Sequence, residues 1–387
     1  MRNIVFLGLV SFFADISAEM VYPLIPLYLT AAFGATPALV GLVEGVAESV
    51  ASLLKVFSGY LSDRFQRKKP LAFAGYATGL LYKLGLVLAG SWAGVLLSRV
   101  IDRVGKGLRT SPRDVMVAES ADSGRMGQAF GVHKALDMAG AGLGILLAWM
   151  LLGNDATVAG YKRLFALSAI PLLLALCMFF FIKEKRRPEA PPRPNLFAGV
   201  RQLDSRLKLY LLVVVLFTLG NSSNAFLLLR ARDLGFSSRE AILLYFVYHA
   251  SASVLSIPLG RLSDKVGRKA LLVVGYVLFS AVYLAFALAK GTQVLWVVFL
   301  LYGVYTAMTA GVERAFVAEI APADLKGTML GLHGTLQGVA LLPASVLAGL
   351  LWNWAGPTAP FYWGAALSLL AAAILALGMK THGVNAT

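Results

Sequence analysis

Twelve apolar segments, each long enough to cross a membrane as a helix, follow one another along this chain of 387 residues. A bilayer core about 30 Å thick needs about 20 apolar residues per helix. Only 14% of the residues are charged, whereas a soluble domain carries about 25%. The sequence therefore predicts an all-α integral membrane protein with twelve transmembrane helices. The segments cover approximately residues 4–30, 38–59, 71–90, 92–114, 127–153, 162–182, 206–230, 239–259, 270–289, 292–318, 327–352 and 358–379.

The positive charge of the chain is concentrated in alternate connections between these segments. A net charge of +15 would suggest nucleic-acid binding in a soluble protein. Here the basic stretches are "DRFQRKK" (63–69), "KEKRRPEAPPRP" (183–194) and "DKVGRK" (264–269), whereas "TAAFGATPA" (30–38) and "AGS" (89–91) carry no charge. This is the positive-inside pattern. It predicts a multi-pass protein of the inner or plasma membrane with both termini in the cytoplasm, whose surroundings are lipid and which binds no nucleic acid.

The two halves of the chain repeat each other. "GYLSDRFQRK" (59–68) and "GRLSDKVGRK" (260–269) share six of ten residues. Four further identities lie 200 positions apart, namely Glu119 with Glu319, Gly127 with Gly327, Gly131 with Gly331, and His133 with His333. A parallel repeat of six spans predicts two pseudo-symmetric six-helix bundles, at 1–182 and 206–387, joined by a basic cytoplasmic linker at 183–205.

These motifs resemble those of the major facilitator superfamily. Residues 260–269 fit the family's loop motif G-x-L-[SA]-D-[RK]-x-G-R-[KR] in full, and the first copy departs from it only by Gln66 in place of glycine. In span four, Arg99, Gly105 and Gly107 match the family's R-x-x-Q-G-x-G-x-G motif, while Asp102 and Arg103 replace its glutamine and first glycine. The strings "DISAEMVYPLIPLYL" (15–29) and "DRVGKGLRTSPRD" (102–114) look like those of a bacterial subgroup without an assigned substrate.

The resemblance implies a monomeric secondary active transporter that moves a small molecule or ion by rocking its two halves. The chain has no phosphate-binding loop of the type G-x-x-x-x-G-K-[ST] and no clear nucleophile–base constellation. We therefore expect no enzymatic activity and no cofactor, with transport driven by a gradient, of protons by preference. General resemblance favours export, and uptake or exchange of an organic anion is an alternative. Another alternative is a divalent-metal exporter that uses Asp15, Glu19, His133 and Asp137.

Span four carries an unusually charged face. Each charge near the bilayer centre costs about 2.5–3.5 kcal/mol on insertion scales, so such residues normally face a partner or a water-filled cavity. We expect Arg99, Arg103 and Lys106 to meet Asp15, Glu19 or Asp137 from spans one and five. The corresponding segment 299–319 of the second half is nearly neutral until Glu313, so the repeat itself does not require this charge. The structural alternative is that the charges only pair and hold helices together.

The candidate residues form two sets. The first set is predicted to bind substrate or couple an ion, and it consists of Asp15, Glu19, Arg99, Asp102, Arg103, Lys106, His133, Lys134, Asp137, Asn221, Asn224, Tyr248 and His249. The second set is predicted to gate the cytoplasmic side, and it consists of Asp63, Arg64, Arg67, Arg109, Arg113, Glu119, Asp264, Arg268, Arg314 and Glu319.

Overall fold

The regular structure of the chain is helical throughout the residues that the computed structural model describes, which are 2–65, 68–120, 126–152, 157–184, 204–321 and 326–379. The all-helical prediction is confirmed for these residues. The helices are α1 (Arg2–Glu19), α2 (Leu24–Phe33), α3 (Pro37–Phe65), α4 (Lys68–Leu88), α5 (Trp92–Ser120), α6 (Met126–Leu152), α7 (Val158–Leu167), α8 (Ala169–Met178), α9 (Ser205–Gly220), α10 (Ala225–Asp233), α11 (Ser238–Val266), α12 (Arg268–Leu288), α13 (Thr292–Thr309), α14 (Val312–Ile320), α15 (Lys326–Ala355) and α16 (Ala359–Gly378).

Eight helical stretches within the described ranges are long and apolar enough to cross a membrane. They cover 2–33, 68–88, 158–181, 205–233, 268–288, 292–317, 332–355 and 359–378. Helix α5 carries too many charged residues to be counted with them, and the apolar part of α6, Leu136–Leu152, is shorter. The chain is thus a multi-pass membrane protein by composition, and the charge of α5 needs a separate explanation.

The first predicted span is interrupted between α1 and α2. Proline has no N–H to donate, so Pro23 and Pro26 leave the carbonyls of Glu19 and Tyr22 without their usual helical donors. The intervening turn is tightened, because the Val21 N–H donates to the Ala18 carbonyl at 3.1 Å. The Ser17 carbonyl accepts instead from Lys83 Nζ of α4 at 3.0 Å. The break therefore offers backbone oxygen atoms to a buried cation.

Three other predicted spans are also interrupted in the described part of the chain. The segment 221–224 separates α9 from α10, residues 310–311 separate α13 from α14, and Ser168 separates α7 from α8. Discontinuous helices in transporters are typical of binding sites, because their freed backbone groups line a cavity.

Helix α6 packs closely on α1 through two glycines. A Cβ at Gly140 would clash with the carbonyl oxygen of Phe12, and a Cβ at Gly144 would lie 2.6 Å from that of Ile16. Glycine at i and i+4 lets helix backbones approach each other in a membrane. This contact brings the polar residues of α1 next to those of α6.

The chain divides into two compact units. The first comprises Met1–Pro191 with Asn224–Phe246, and the second comprises Pro192–Ser223 with Val247–Thr387. Residues 224–246, which the repeat assigns to the second half, therefore contact the first unit: the Tyr161 hydroxyl donates to Ser238 Oγ at 3.1 Å, and the Arg239 guanidinium lies 4.4 Å from the Trp149 ring. The bounds 1–182 and 206–387 and the linker at 183–205 stay a prediction, since 185–203 lie outside the described residues.

The last residue of each loop motif, or its neighbour, donates to carbonyls at the end of the last helical segment in its half of the sequence repeat. Lys69 Nζ donates to the Ile182 carbonyl at 2.6 Å, and Lys269 Nζ donates to the carbonyls of Ala376, at 2.8 Å, and Met379. A cation at a helix C-terminus stabilises the unpaired carbonyls there. The repeat is therefore visible in side-chain contacts as well as in sequence.

Candidate functional site

Two arginines of α5 pair with two glutamates of α3. Arg99 Nη2 lies 2.8 and 2.6 Å from the two carboxylate oxygens of Glu44, and both side chains are almost fully buried. One turn further, Arg103 Nη2 lies 2.7 Å from Glu48, whose side chain is 25% exposed. Both pairs have a spacing of four residues, so they form a ladder along one face of each helix.

A third carboxylate and an aromatic ring also lie next to these two arginines. Asp102 lies 3.9 Å from Arg99 and 3.8 Å from Arg103, so it is shared between them. The Tyr22 ring, at the break after α1, lies 5.3 and 5.9 Å from the two guanidinium carbons. We call Tyr22, Glu44, Glu48, Arg99, Asp102 and Arg103 the α3–α5 charge cluster.

Glu19 lies beside this cluster at the end of α1. The cations that act on its carboxylate are Lys106, Arg103, Arg99 and Lys83, in order of decreasing strength. Its Oε2 is buried and accepts no hydrogen bond from the described residues. Glu19 is therefore a half-buried acidic group that faces several cations and has one buried oxygen without a donor among the described residues.

A second group of polar residues lies between α1, α5 and α6. Asp15 shares a side-chain hydrogen bond with Asp137, and Arg109 and Arg113 act on it electrostatically. A carboxylate accepts hydrogen bonds but cannot donate one, so this contact requires a proton on one of the two carboxyl groups. We call Asp15 and Asp137 the α1–α6 carboxyl pair.

The arginines beside the carboxyl pair have further partners. Arg113 pairs with Asp114 at 2.9 Å and donates to Ser11 Oγ at 3.4 Å, while Arg109 lies 4.4 Å from the centre of the Tyr76 ring. Ser11 also contacts His133 Nε2 at 2.9 Å and the Tyr76 hydroxyl at 3.4 Å. Ser11 thus connects α4, α5 and α6 through one hydroxyl group.

The expected partners of span four differ in part from the observed ones. Arg99 and Arg103 were expected to meet carboxylates of spans one and five, but their direct partners are Glu44 and Glu48 of α3. Electrostatic contact with Glu19 is present, whereas Asp15 and Asp137 face Arg109 and Arg113 instead. The physical reason is proximity. Helix α3 packs along the length of α5, so each guanidinium reaches a carboxylate on α3 first.

In the second unit, the predicted residues lie among aromatic rings. The Asn221 amide donates to the Tyr305 hydroxyl at 2.9 Å. The Tyr248 ring lies 4.6 Å from the His249 ring and 4.9 Å from the Tyr302 ring. Asn224, by contrast, precedes α10 and belongs to the first unit.

The gating residues are described only in part. Arg268 pairs with Glu319 at 2.7 Å, with both side chains partly exposed, and Arg314 is exposed. Arg67 lies outside the described residues. The side chains of five further candidates also lie outside the described part of the structure, namely Asp63, Arg64, Glu119, Lys134 and Asp264. Their contacts stay a prediction.

Sequence reasoning did not select several residues that the structure places in these groups. Glu44 and Glu48 have the same spacing of four as Arg99 and Arg103, and this matched spacing was the available signal. Tyr22 had no comparable signal, because its position depends on the helix break. Ser11 and Tyr76 are common residues of apolar helices and were not distinguishable in the sequence.

The described residues contain no group of three or more His, Cys, Asp or Glu side chains placed to hold a metal ion. The four residues considered for a metal are distributed over different contacts: Asp15 with Asp137, His133 with Ser11, and Glu19 among cations. The arrangement instead suits proton binding and charge exchange, since it combines a carboxyl pair with several arginines.

Comparison with known proteins agrees with this geometry. The family model of the Major Facilitator Superfamily matches residues 7–229 and 209–384. An uncharacterized MFS-type transporter of Methanocaldococcus jannaschii is 36% identical over 380 residues, which are 97% of this chain and 94% of the relative. The solved nucleoside transporter NupG has the same fold, with a TM-score of 0.80 at 14% identity over 98% of this chain and 100% of that one.

Two more distant relatives carry functional names. The fosmidomycin resistance protein of Escherichia coli K12 is 25% identical and covers 86% of this chain and 82% of its own length. The multi-drug resistance efflux pump PmrA of Streptococcus pneumoniae is 26% identical and covers 81% of this chain and 79% of its own length. Because the family model matches nearly the whole length and a relative is 36% identical over 97% of it, this chain belongs to the Major Facilitator Superfamily and is a membrane transporter of that family.

Proposed function

We propose that this transporter exports a small organic solute in exchange for protons, by alternating access between two six-helix bundles. The observation that carries the proposal is the α1–α6 carboxyl pair. Asp15 and Asp137 share a hydrogen bond that requires a proton, and they do so next to two arginines in a membrane-embedded unit.

The carboxyl pair provides a way to couple proton binding to a change of conformation. With one proton, the two groups attract each other across the α1–α6 contact. Without it, two adjacent negative charges repel each other, and Arg109 and Arg113 become their partners. The two arrangements of the carboxyl pair thus bind a proton with different affinity. Any coupled conformational change requires such a difference.

The α3–α5 charge cluster has a different part in the proposal. The Arg99–Glu44 pair is buried and fixes α5 against α3, whereas Glu48 is partly exposed and is accessible to water or solute. Tyr22 adds an aromatic face beside the two guanidinium groups. We propose that the exposed end of this cluster contacts the solute.

The direction of transport is inferred from the relatives. The two relatives with functional names are a drug efflux pump and a drug resistance protein, and export agrees with both. We further propose twelve transmembrane helices, a monomer, and an inner or plasma membrane location with cytoplasmic termini, on the basis of the basic connections.

Transport in proteoliposomes tests the proposal. The purified protein is reconstituted with a pH-sensitive dye inside, a pH gradient is imposed, and fosmidomycin and a panel of cationic, neutral and anionic solutes are added in turn. We expect one class of solute to move against the proton flux. Asp137→Asn should abolish the coupled proton movement, whereas the exposed Glu240→Gln should leave it intact. Solute flux that is independent of the pH gradient would reject proton coupling.

Uptake or exchange of an organic anion is the second candidate. It is favoured by the four cations Lys83, Arg99, Arg103 and Lys106 that surround Glu19. An anion that replaced Glu19 as their partner would be attracted to the site. Counterflow of a labelled anion in the absence of a pH gradient, lost in Lys106→Gln, would support this function over proton-driven export.

A further inference from the structure

The second unit contains a buried carboxylate that belongs to neither of the two predicted sets. Glu313, in the first turn of α14, is 6% exposed. The Tyr276 hydroxyl donates to its Oε1 at 2.9 Å, and the Gln337 amide donates to its Oε2 at 2.9 Å. His333 Nε2 lies 3.8 Å from Oε2. Two neutral donors and an imidazole therefore surround this carboxyl group.

The surroundings of Glu313 come from every helix packed against α14. Tyr276 belongs to α12, His333 and Gln337 belong to α15, and the tyrosines Tyr210 of α9 and Tyr305 of α13 also act on the carboxylate. Arg314 is the next residue along α14; its side chain is exposed, and its positive charge acts on both Glu313 and His333. Among the described residues, the ion pair recorded for Glu313 is the one with His333.

His333 is the second unusual group of this cluster. It is 2% exposed, and its Nε2 has no hydrogen-bond partner among the described residues. Its ring lies parallel to the Tyr210 ring, with an interplanar angle of 2° and a centroid distance of 6.4 Å. An unpaired buried nitrogen is costly, and it normally signals a missing donor, acceptor or proton.

The corresponding place in the first unit has a different charge. At an offset of 200 residues, Tyr276 corresponds to Tyr76 and His333 to His133, whereas Glu313 corresponds to Arg113 and Gln337 to Asp137. A cation with a nearby carboxylate in one unit is thus replaced by a carboxylate with a nearby amide in the other. The fold accepts either arrangement, so the buried acid of the second unit is not a requirement of packing.

A carboxylate buried in a membrane protein is expensive unless a cation neutralises it. The donors of Glu313 are neutral, and its ion-pair partner is an imidazole that is charged only when protonated, while Arg314 acts on the carboxylate from an exposed side chain. A proton on Glu313 or on His333 removes the unpaired charge and gives one of the two groups a donor for the other. Burial therefore favours the pair with one bound proton over the state in which both Glu313 and His333 are deprotonated.

We propose that Glu313 and His333 form a second proton-binding site, located in the second unit and separate from the α1–α6 carboxyl pair. The proton leaves the Glu313 carboxyl group for His333 Nε2 or for water, and the carboxylate that remains keeps the hydrogen bonds of Tyr276 and Gln337. This inference deepens the proposed function, on which it rests for its transport role: each unit would contribute one proton site to the cycle.

Infrared difference spectroscopy of the reconstituted protein tests the site without a known solute. The protein is titrated over pH, and the carbonyl band of protonated carboxyl groups is followed. We expect one band to be lost in Glu313→Gln and a different one in Asp137→Asn, while Glu240→Gln, an exposed acid, changes neither. Tyr276→Phe removes a donor and should shift the Glu313 band without abolishing it, and His333→Gln should change the pH at which the band disappears.

The outcomes separate this inference from the proposed function. If the Asp137-dependent band is present and Glu313→Gln leaves the spectrum unchanged, the second site is rejected and the first site remains. If the Glu313-dependent band is present but transport requires no proton gradient, proton coupling is rejected and the binding site remains. Should Glu313→Gln fail to fold, an unshifted band in Tyr276→Phe would by itself reject Glu313 as the proton carrier.

Discussion

Replacing Glu44 by glutamine should cost far more stability than the same change at Glu48. The Arg99 and Glu44 side chains are 2% and 1% exposed, and their closest atoms are 2.6 Å apart. At an effective dielectric constant of about 20, the attraction over this distance is about 6 kcal/mol, against which the desolvation of both ions must be set. Removing one partner leaves a buried guanidinium, which typically costs about 3–5 kcal/mol.

The neighbouring pair provides the comparison. Glu48 is 25% exposed, so water can reach the charge that remains on Arg103 after Glu48→Gln. Asp102 lies 3.8 Å from Arg103 and 3.9 Å from Arg99, and it gives both arginines the same residual partner. We therefore expect a loss of about 1–2 kcal/mol for Glu48→Gln, as for a partly exposed hydrogen-bonded charge.

Unfolding of the purified protein in mixed micelles by SDS, followed by tryptophan fluorescence, measures these differences. The exposed Glu240→Gln serves as the control: glutamine can still accept the Ser237 N–H hydrogen bond, so only the favourable charge at the start of α11 is lost, and the free energy of unfolding should change by less than about 1 kcal/mol. The double variant Arg99→Met with Glu44→Met removes both charges and should recover most of the loss. Equal stability of Glu44→Gln and Glu240→Gln would refute the reasoning, because it would mean that the pair contributes nothing.

Three further predictions concern helix packing and the contacts of the second loop motif. Gly140→Ala should lower the free energy of unfolding by about 1–3 kcal/mol because its Cβ meets a carbonyl of α1, whereas Gly142→Ala, with nothing within 4 Å, should be neutral or stabilising; SDS unfolding measures both. Arg268→Gln should change stability by less than about 1 kcal/mol, because its pair with Glu319 is partly exposed, yet it should slow transport in proteoliposomes if the pair gates. Lys269→Met should expose the end of α16 to protease faster than wild type, since it removes a donor to two carbonyls.

The helical fold could be predicted because it depends on few and strong signals. Apolar runs of about 20 residues leave the backbone no alternative to helix in a bilayer. The repeated loop motif predicts six spans per half, and this number stays a prediction. The breaks within spans were harder to place. Pro23 and Pro26 were visible in the sequence, but proline is tolerated in membrane helices, so only the structure shows that α1 ends before them.

The partners of the charged residues were less predictable than their presence. Helical spacing places Arg99 and Arg103 on one face, but it does not say which neighbouring helix that face meets. That choice depends on the packing of α3 against α5, which involves residues far apart in sequence. Asp15 and Asp137 could each be predicted as candidate residues, but their contact could not. It depends on the glycine contact between α1 and α6, which the spacing of the two residues does not show.

The repeat itself gives the strongest reason to assign the charges to function. In the first unit, the space between equivalent helices is occupied by ion pairs such as Arg99–Glu44. In the second unit, aromatic rings lie between the equivalent helices α11 and α13: the Tyr248 ring lies 4.9 Å from the Tyr302 ring. Aromatic packing stabilises a membrane bundle without the desolvation cost of ions. Because an equivalent pair of helices packs with aromatic rings, we infer that helix packing alone does not require the ion pairs of the first unit, which agrees with the part in transport proposed for this cluster.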